Sequence, residues 1–149
     1  MNKIKDKINE NRRIQKLVIV DTDIILHSLE NKIDLVEEIR SIIEYPIQLC
    51  VLRSTIYELE KIARIGSWRT SRMARIALKM LVNKNIEIID DECLGDMPTD
   101  EKIVLLAEKL DAIVATDDRE LRKKLEKKEI PVIYTREKKK LVLNRNIYW

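Results

Sequence analysis

The sequence predicts an α/β protein, a three-layer α/β/α sandwich around a mainly parallel, five-stranded sheet. Three observations predict it. Short all-apolar runs rich in Ile and Val, such as Leu17-Val18-Ile19-Val20, suit strands buried on both faces. Longer stretches between them carry apolar residues at helical spacing. The two kinds alternate along nearly the whole chain as β-α-β-α-α-β-α-β-α-β, and such alternation implies crossover connections between parallel strands. The 149 residues allow one domain with a sizeable core and leave no room for a second.

Residues 1–16 are mostly polar and are expected to form a basic N-terminal arm or a peripheral helix; 17–149 are expected to be a single domain ending in a basic tail. The first strand is Leu17 to Val20, stopped by Asp21. From Asp23 to Glu44, Ile24, Ile25, Leu29, Leu35, Val36, Ile39, Ile42 and Ile43 recur at helical spacing, and Pro46 ends the stretch. Ile47 to Leu52 is a second strand. Ser54 to Ile65 reads as a helix closed by Gly66, and Trp68 to Val82 as another. Ile86 to Ile89 is a third strand, followed by a loop through Gly95 and Pro98. Thr99 to Leu110 is a helix whose apolar face is Ile103, Leu106, Ala107 and Leu110. Ala112 to Ala115 is a fourth strand, Asp118 to Lys128 a helix, and Pro131 to Tyr134 a fifth strand. Thr135 to Lys140 could be a basic turn into a last short strand, Leu141 to Leu143.

Composition narrows the function classes. Hydrophobic residues make up 45% of the chain and charged residues 37%, with 29 basic against 26 acidic side chains and a formal charge of +3. That balance excludes an acidic tail protein and a uniformly basic nucleic-acid coat, and the abundant Ile, Leu and Val exclude disorder. No apolar run approaches the ~18 residues of a membrane span, and the first residues lack the apolar core of a signal peptide. Cys50 and Cys93 make no disulfide framework, and Cys50, inside an apolar strand, reads as a small buried hydrophobe; a reducing cytoplasm is expected. Phe is absent, while Ile, Lys and Glu abound, a bias that resembles thermophile proteomes.

In open α/β sheets ligands bind past the carboxyl ends of the strands, so the residues there matter most. Strand one runs into Asp21-Thr22-Asp23 and strand four into Thr116-Asp117-Asp118-Arg119-Glu120. The third strand leads through Asp90-Asp91-Glu92 to Thr99-Asp100-Glu101, and the helix after strand two carries Glu58 and Glu60. Each acid alone is explicable as a helix cap or a complement to the helix dipole. Thr55 to Glu58 fits a capping box, and Asp117 to Glu120 fits a variant of it. Capping alone, however, does not require Asp or Glu at four places on one edge. Clustered carboxylates repel one another and raise each other's pKa, a penalty that a hard cation such as Mg²⁺ or Mn²⁺ relieves. With so little His and Cys, zinc is not indicated.

From about Leu17 to Tyr134 the chain resembles the PIN-domain nucleases. The family's opening strand with Asp-Thr-Asn is similar to Asp21-Thr22-Asp23, its helical Glu-Leu to Glu58-Leu59, its Asp-x-x-Ile with a following Ala to Asp100, Ile103 and Ala107, and its Thr-x-Asp-x-x-Leu to Thr116, Asp118 and Leu121. Ile130-Pro131-Val132-Ile133-Tyr134 looks like the ribosomal-RNA-processing branch and its archaeal relatives, with the VapC toxin branch as the other candidate. One departure is Asp23 where the family has Asn: it could add a metal ligand or simply hydrogen-bond the loop. Asp117 and Glu101 are extra acids that could act as outer-sphere ligands.

The resemblance implies a metal-dependent endoribonuclease that hydrolyses RNA phosphodiesters, with a role in rRNA processing as one setting. Asp21, Asp100 and Asp118 would be inner ligands of Mg²⁺ or Mn²⁺, Glu58 a ligand or water-orienting base, and Thr116 the holder of Asp21. RNA needs a basic approach surface, for which Arg64, Trp68, Arg69, Arg72, Arg75 and Lys79 are candidates. Arg72, Arg75 and Lys79 share a helix face, and Trp68 could stack on a base; an ordinary solvated helix with Trp68 packed inward is the competing reading. The tail from Arg136 to Lys140, with Tyr148 and Trp149, could grip RNA or form a subunit contact in a homodimer. His27 reads as a surface or packing residue. The rivals are a VapC-type toxin with an antitoxin partner, a non-catalytic PIN module in ribosome assembly, and a haloacid-dehalogenase-type phosphatase. The last would use Asp21 and Asp23 as its Asp-x-Asp and Gly95-Asp96-x-x-x-Asp100 as its late acidic motif.

Overall fold

A computed structural model describes residues 15–145. The arm at 1–14 and the aromatic end at Tyr148 and Trp149 lie outside the described residues. Six strands form one sheet: β1 (Lys16–Val20), β2 (Ile47–Leu52), β3 (Glu87–Ile89), β4 (Ile113–Ala115), β5 (Val132–Arg136) and β6 (Lys140–Leu143). Their order is β3-β2-β1-β4-β5-β6. The first five are mutually parallel, as alternation predicts. The expected count of five is corrected to six, because Leu141 to Leu143 does join the sheet. It pairs antiparallel with β5, Ile133 opposite Leu143, after a tight turn in which Glu137 and Lys138 take positive φ. A hairpin needs no crossover helix, so the alternation rule is blind to it.

Among the described residues six α-helices cover the sheet: α1 (Thr22–Glu30), α2 (Leu35–Ile42), α3 (Arg53–Ile65), α4 (Trp68–Asn83), α5 (Thr99–Leu110) and α6 (Arg119–Lys127). The single helix expected from Asp23 to Glu44 is broken in two. Lys32 adopts φ 57°, which ends α1, and the Asp34 side chain accepts from the Glu37 amide to cap α2. Apolar periodicity runs on across the break because both helices bury their apolar faces in the same layer.

The strands are buried on both sides, and side chains alternate between two cores. Val18, Val20, Leu49, Val51, Ile113 and Ala115 face a layer built by α1 to α4 through Ile24, Ile39, Leu59, Ala77 and Leu81. Leu17, Ile19, Cys50, Leu52 and Val114 face a layer built by α5 and α6 through Ile103, Leu106, Leu121 and Leu125. This is the expected three-layer sandwich. Cys50 is buried, as its apolar run indicated, and burial pushes its thiol far above the ordinary range. No helix among the described residues is long and apolar enough to cross a membrane.

The strand order reverses at β1, which is flanked by β2 on one side and β4 on the other. The crevice at the carboxyl end of β1 is therefore where the chains leaving β1, β2 and β4 diverge, and it is the place such sheets offer a ligand.

Candidate active site

Asp21 sits at that crevice. It follows β1, its amide extends the ladder to Ala115 O at 2.9 Å, and its side chain caps α1 by accepting from Thr22 N at 2.8 Å. The other carboxylate oxygen accepts from Thr116 Oγ1 at 2.8 Å. The carboxylate is 6% exposed. Burial, then the charges of Asp23 and Asp100, push its pKa up to about 7, against the hydrogen bonds from Thr116 and Thr22, which pull it down.

The remaining matched acids reach the crevice from three other elements. Glu58, one turn into α3, takes a hydrogen bond on Oε2 from Thr22 Oγ1 at 3.0 Å, so the middle residue of Asp-Thr-Asp links the first acid to the second. Asp100 stands in the first turn of α5, and its carboxyl is raised by burial and by the charges of Asp118 and Glu58, while Lys124 lowers it. Asp118 caps α6, accepting from the amides of Glu120 at 2.9 Å and Leu121 at 3.2 Å. Thr116, fully buried, also accepts from Asp118 N at 3.1 Å, so one hydroxyl positions two acids.

Asp23 hydrogen-bonds the loop: its Oδ1 accepts from Asp117 N at 3.2 Å and from Thr116 Oγ1 at 3.4 Å. Its carboxyl is nonetheless raised, by burial and by Asp117 and Asp118. Asp117 is turned to structural use. It accepts from Thr135 N at 2.7 Å, Thr135 Oγ1 at 2.8 Å and His27 Nδ1 at 2.9 Å, tying the loop to β5 and α1. His27 is partly exposed and is bound to Asp117. Both expected capping boxes are corrected. α3 begins at Arg53, so Thr55 lies inside it, and the cap of α6 is Asp118 where Asp117 was expected.

A second constellation escaped the sequence reading. Asp91, 2% exposed, accepts from the Ser54 hydroxyl and, at 3.3 Å, from the Ser54 amide at the start of α3. Lys102, 6% exposed, reaches Ser54 Oγ at 3.0 Å and Asp91 Oδ2 at 3.3 Å. The cluster joins α3 one turn before Glu58 to α5 two residues after Asp100, tying together the two helices that carry those acids. One clue was available: Lys102 falls four residues before Leu106, on the apolar face of its helix.

The donors match a hard divalent cation in kind, since all are carboxylate oxygens and two of them, Asp21 and Asp100, carry pKa values raised by burial and mutual repulsion, the cost that such a cation offsets. Among the described residues no three His, Cys, Asp or Glu side chains already form a cage that could hold an ion.

The basic candidates separate. Trp68 is 77% exposed, with Arg72 stacked over its ring at 5.9 Å, so it does not pack inward. Arg64, Arg72 and Lys79 are exposed. Arg69 is paired with Glu30 at 3.0 Å, and Arg75 donates to Ser71 Oγ at 2.9 Å and Ala63 O at 3.4 Å, closing the end of α3.

Comparison with known proteins places this geometry in context. A family model described as a PIN like domain matches residues 18–138. Ribonuclease VapC9 of Archaeoglobus fulgidus is 30% identical over 127 residues, covering 85% of this chain and 87% of the relative. Ribonuclease VapC4 of Methanocaldococcus jannaschii is 28% identical over 123 residues, covering 82% and 92%. The solved structure of the PIN domain endonuclease Utp24 superposes with a TM-score of 0.72 at 27% identity, over 88% of this chain and 92% of that one.

Proposed function

The chain belongs to the PIN-like domain family, and from that premise we propose that it is a divalent-metal-dependent endoribonuclease. The observation that carries the reading is Asp21, a buried carboxylate at the strand-order reversal, raised to about 7 with the charges of Asp23 and Asp100 among the causes. Relatives named as ribonucleases and a neighbour named as an endonuclease support RNA as the substrate.

Asp21, Asp100, Asp118 and Glu58 would hold Mg²⁺ or Mn²⁺, which when bound offsets the repulsion between the acids and an anionic phosphodiester and lowers the pKa of water. Thr116 fixes Oδ2 of Asp21 and the amide of Asp118. Thr22 fixes Oε2 of Glu58, whose other oxygen would either bind the metal or orient the attacking water. The products would carry 5′-phosphate and 3′-hydroxyl ends. Trp68, Arg72, Arg64 and Lys79 offer an exposed face for a more distant part of the strand.

The test is cleavage of single-stranded RNA by the purified protein in Mn²⁺ or Mg²⁺. Activity that disappears with chelation and in Asp21→Asn and Asp100→Asn supports the assignment; full activity in either folded variant overturns it. A toxin with an antitoxin partner is the second reading, favoured by the two VapC names. Growth arrest on expression, relieved by the product of a neighbouring small gene, separates it from an rRNA-processing role.

A further inference from the structure

A groove of about 480 Å³ runs between α5 and α6. Its floor is Met97 with Val104 and Leu105. Its α6 wall is Lys124 and Lys127, one helical turn apart, and neither has an ion-pair partner among the described residues. Glu108 and Lys128 pair across its far end at 3.4 Å. Glu101, the neighbour of Asp100, also lines the groove. The catalytic assignment uses none of these side chains.

The combination is specific in its chemistry. An apolar floor takes the face of a planar ring, two free ammonium groups on one wall take anionic oxygens, and the volume lies in the range of small-ligand sites. Glu101 and Lys124 stand on the two helices whose starts carry Asp100 and Asp118, so an anion on this wall lies toward the proposed reaction centre. Charge complementarity thus selects a nucleotide of the substrate strand over an apolar peptide, which would leave both lysines unpaired.

We propose that the α5–α6 groove seats the nucleotide next to the scissile phosphate, its base on Val104 and Leu105 and its phosphate on Lys124 and Lys127. This rests on the nuclease reading and extends it to substrate class. A base engaged in a duplex cannot turn its face into a groove, so the strand is unpaired at that nucleotide.

The experiment is fluorescence anisotropy with a short labelled single-stranded RNA in Ca²⁺, which binds oxygens without the tight geometry of Mg²⁺. Steady-state cleavage in Mn²⁺ accompanies it. The double variant Lys124→Ala/Lys127→Ala is compared with Lys109→Ala/Lys123→Ala, which removes equal charge from the same two helices outside the groove. The groove variant should raise Kd and KM about tenfold and make the log Kd against log salt slope shallower by about 0.7, one single-strand phosphate's worth. Wild type should prefer unpaired RNA to a duplex of the same sequence. Equal effects of the two double variants, or no preference for unpaired RNA, overturn the groove assignment while leaving the nuclease intact. A wild-type protein that neither binds nor cuts RNA overturns the nuclease reading itself.

Discussion

The hydroxyl of Thr116 donates to Oδ2 of Asp21 at 2.8 Å, across 95 positions of sequence, and Thr116 Oγ1 itself accepts from the Asp118 amide. Thr116 therefore orients two acids and holds down the pKa of one. Thr116→Ala should lose about 10–100-fold in cleavage or metal affinity. Part of that loss should return at higher pH, because Asp21 without its donor ionises later. Thr116→Ser should restore the wild-type pH–rate profile.

The raised carboxyl of Asp21 makes stability depend on pH. An unfolded Asp ionises near 3.8 and the folded one near 7, so between these values the native state holds the extra proton. The metal-free protein should lose up to a few kcal/mol of stability as pH rises through that window, and none of that change should occur above it. Asp21→Asn should raise the melting temperature at pH 8 while abolishing cleavage. Adding Mn²⁺ to the wild type should raise it too, and chelation should reverse the gain. Calorimetry at pH 5 and pH 8, with and without metal, checks all three.

Lys102 and Asp91 form a buried pair, so their variants should be strongly non-additive. Lys102→Met leaves the Asp91 carboxylate buried without its cation and should cost about 3–5 kcal/mol in urea unfolding. Adding Asp91→Asn should recover much of that. The folded double variant should still cleave more slowly, because α3 and α5, the helices that carry Glu58 and Asp100, lose that tie.

Trp68 and Arg75 lie on one helix and should separate binding from stability. Trp68→Ala, at an exposed position, should leave the melting temperature nearly unchanged and raise KM for single-stranded RNA, since a stacked base is worth about 1–3 kcal/mol. Arg75→Ala removes donors to Ser71 and Ala63 and should cost about 1 kcal/mol of stability with little change in KM.

The layers, the parallel strands and the edge carrying the acids were legible in the sequence because burial on both faces writes itself as unbroken apolar runs, and crossover helices write themselves as period. The hairpin to β6 and the break between α1 and α2 were less legible. The first depends on a turn at Glu137 and Lys138, the second on the backbone of Lys32, and neither disturbs the apolar pattern. The four matched acids were found as a list, but their division of labour was not. Only the fold shows that Thr22 ties to Glu58, that Asp117 serves β5 and His27, and that Arg69 and Arg75 have partners inside the protein. The same is true of Asp91 and Lys102, whose charges look like surface charges until two helices bury them together.

The position of β1 in the middle of the sheet has a consequence for when the protein could act during its own synthesis. Its partners are β2 from the first half of the chain and β4 from the second. Asp21 and Glu58 leave the ribosome early, whereas Asp100, Thr116 and Asp118 emerge only after about two thirds of the chain has been made. No amino-terminal fragment that ends before β4 contains the hydroxyl that orients Asp21 or the acid that caps α6. On the proposed activity, a site assembled from both halves of the sheet becomes competent only once β4, the strand that closes the crevice, has paired with β1.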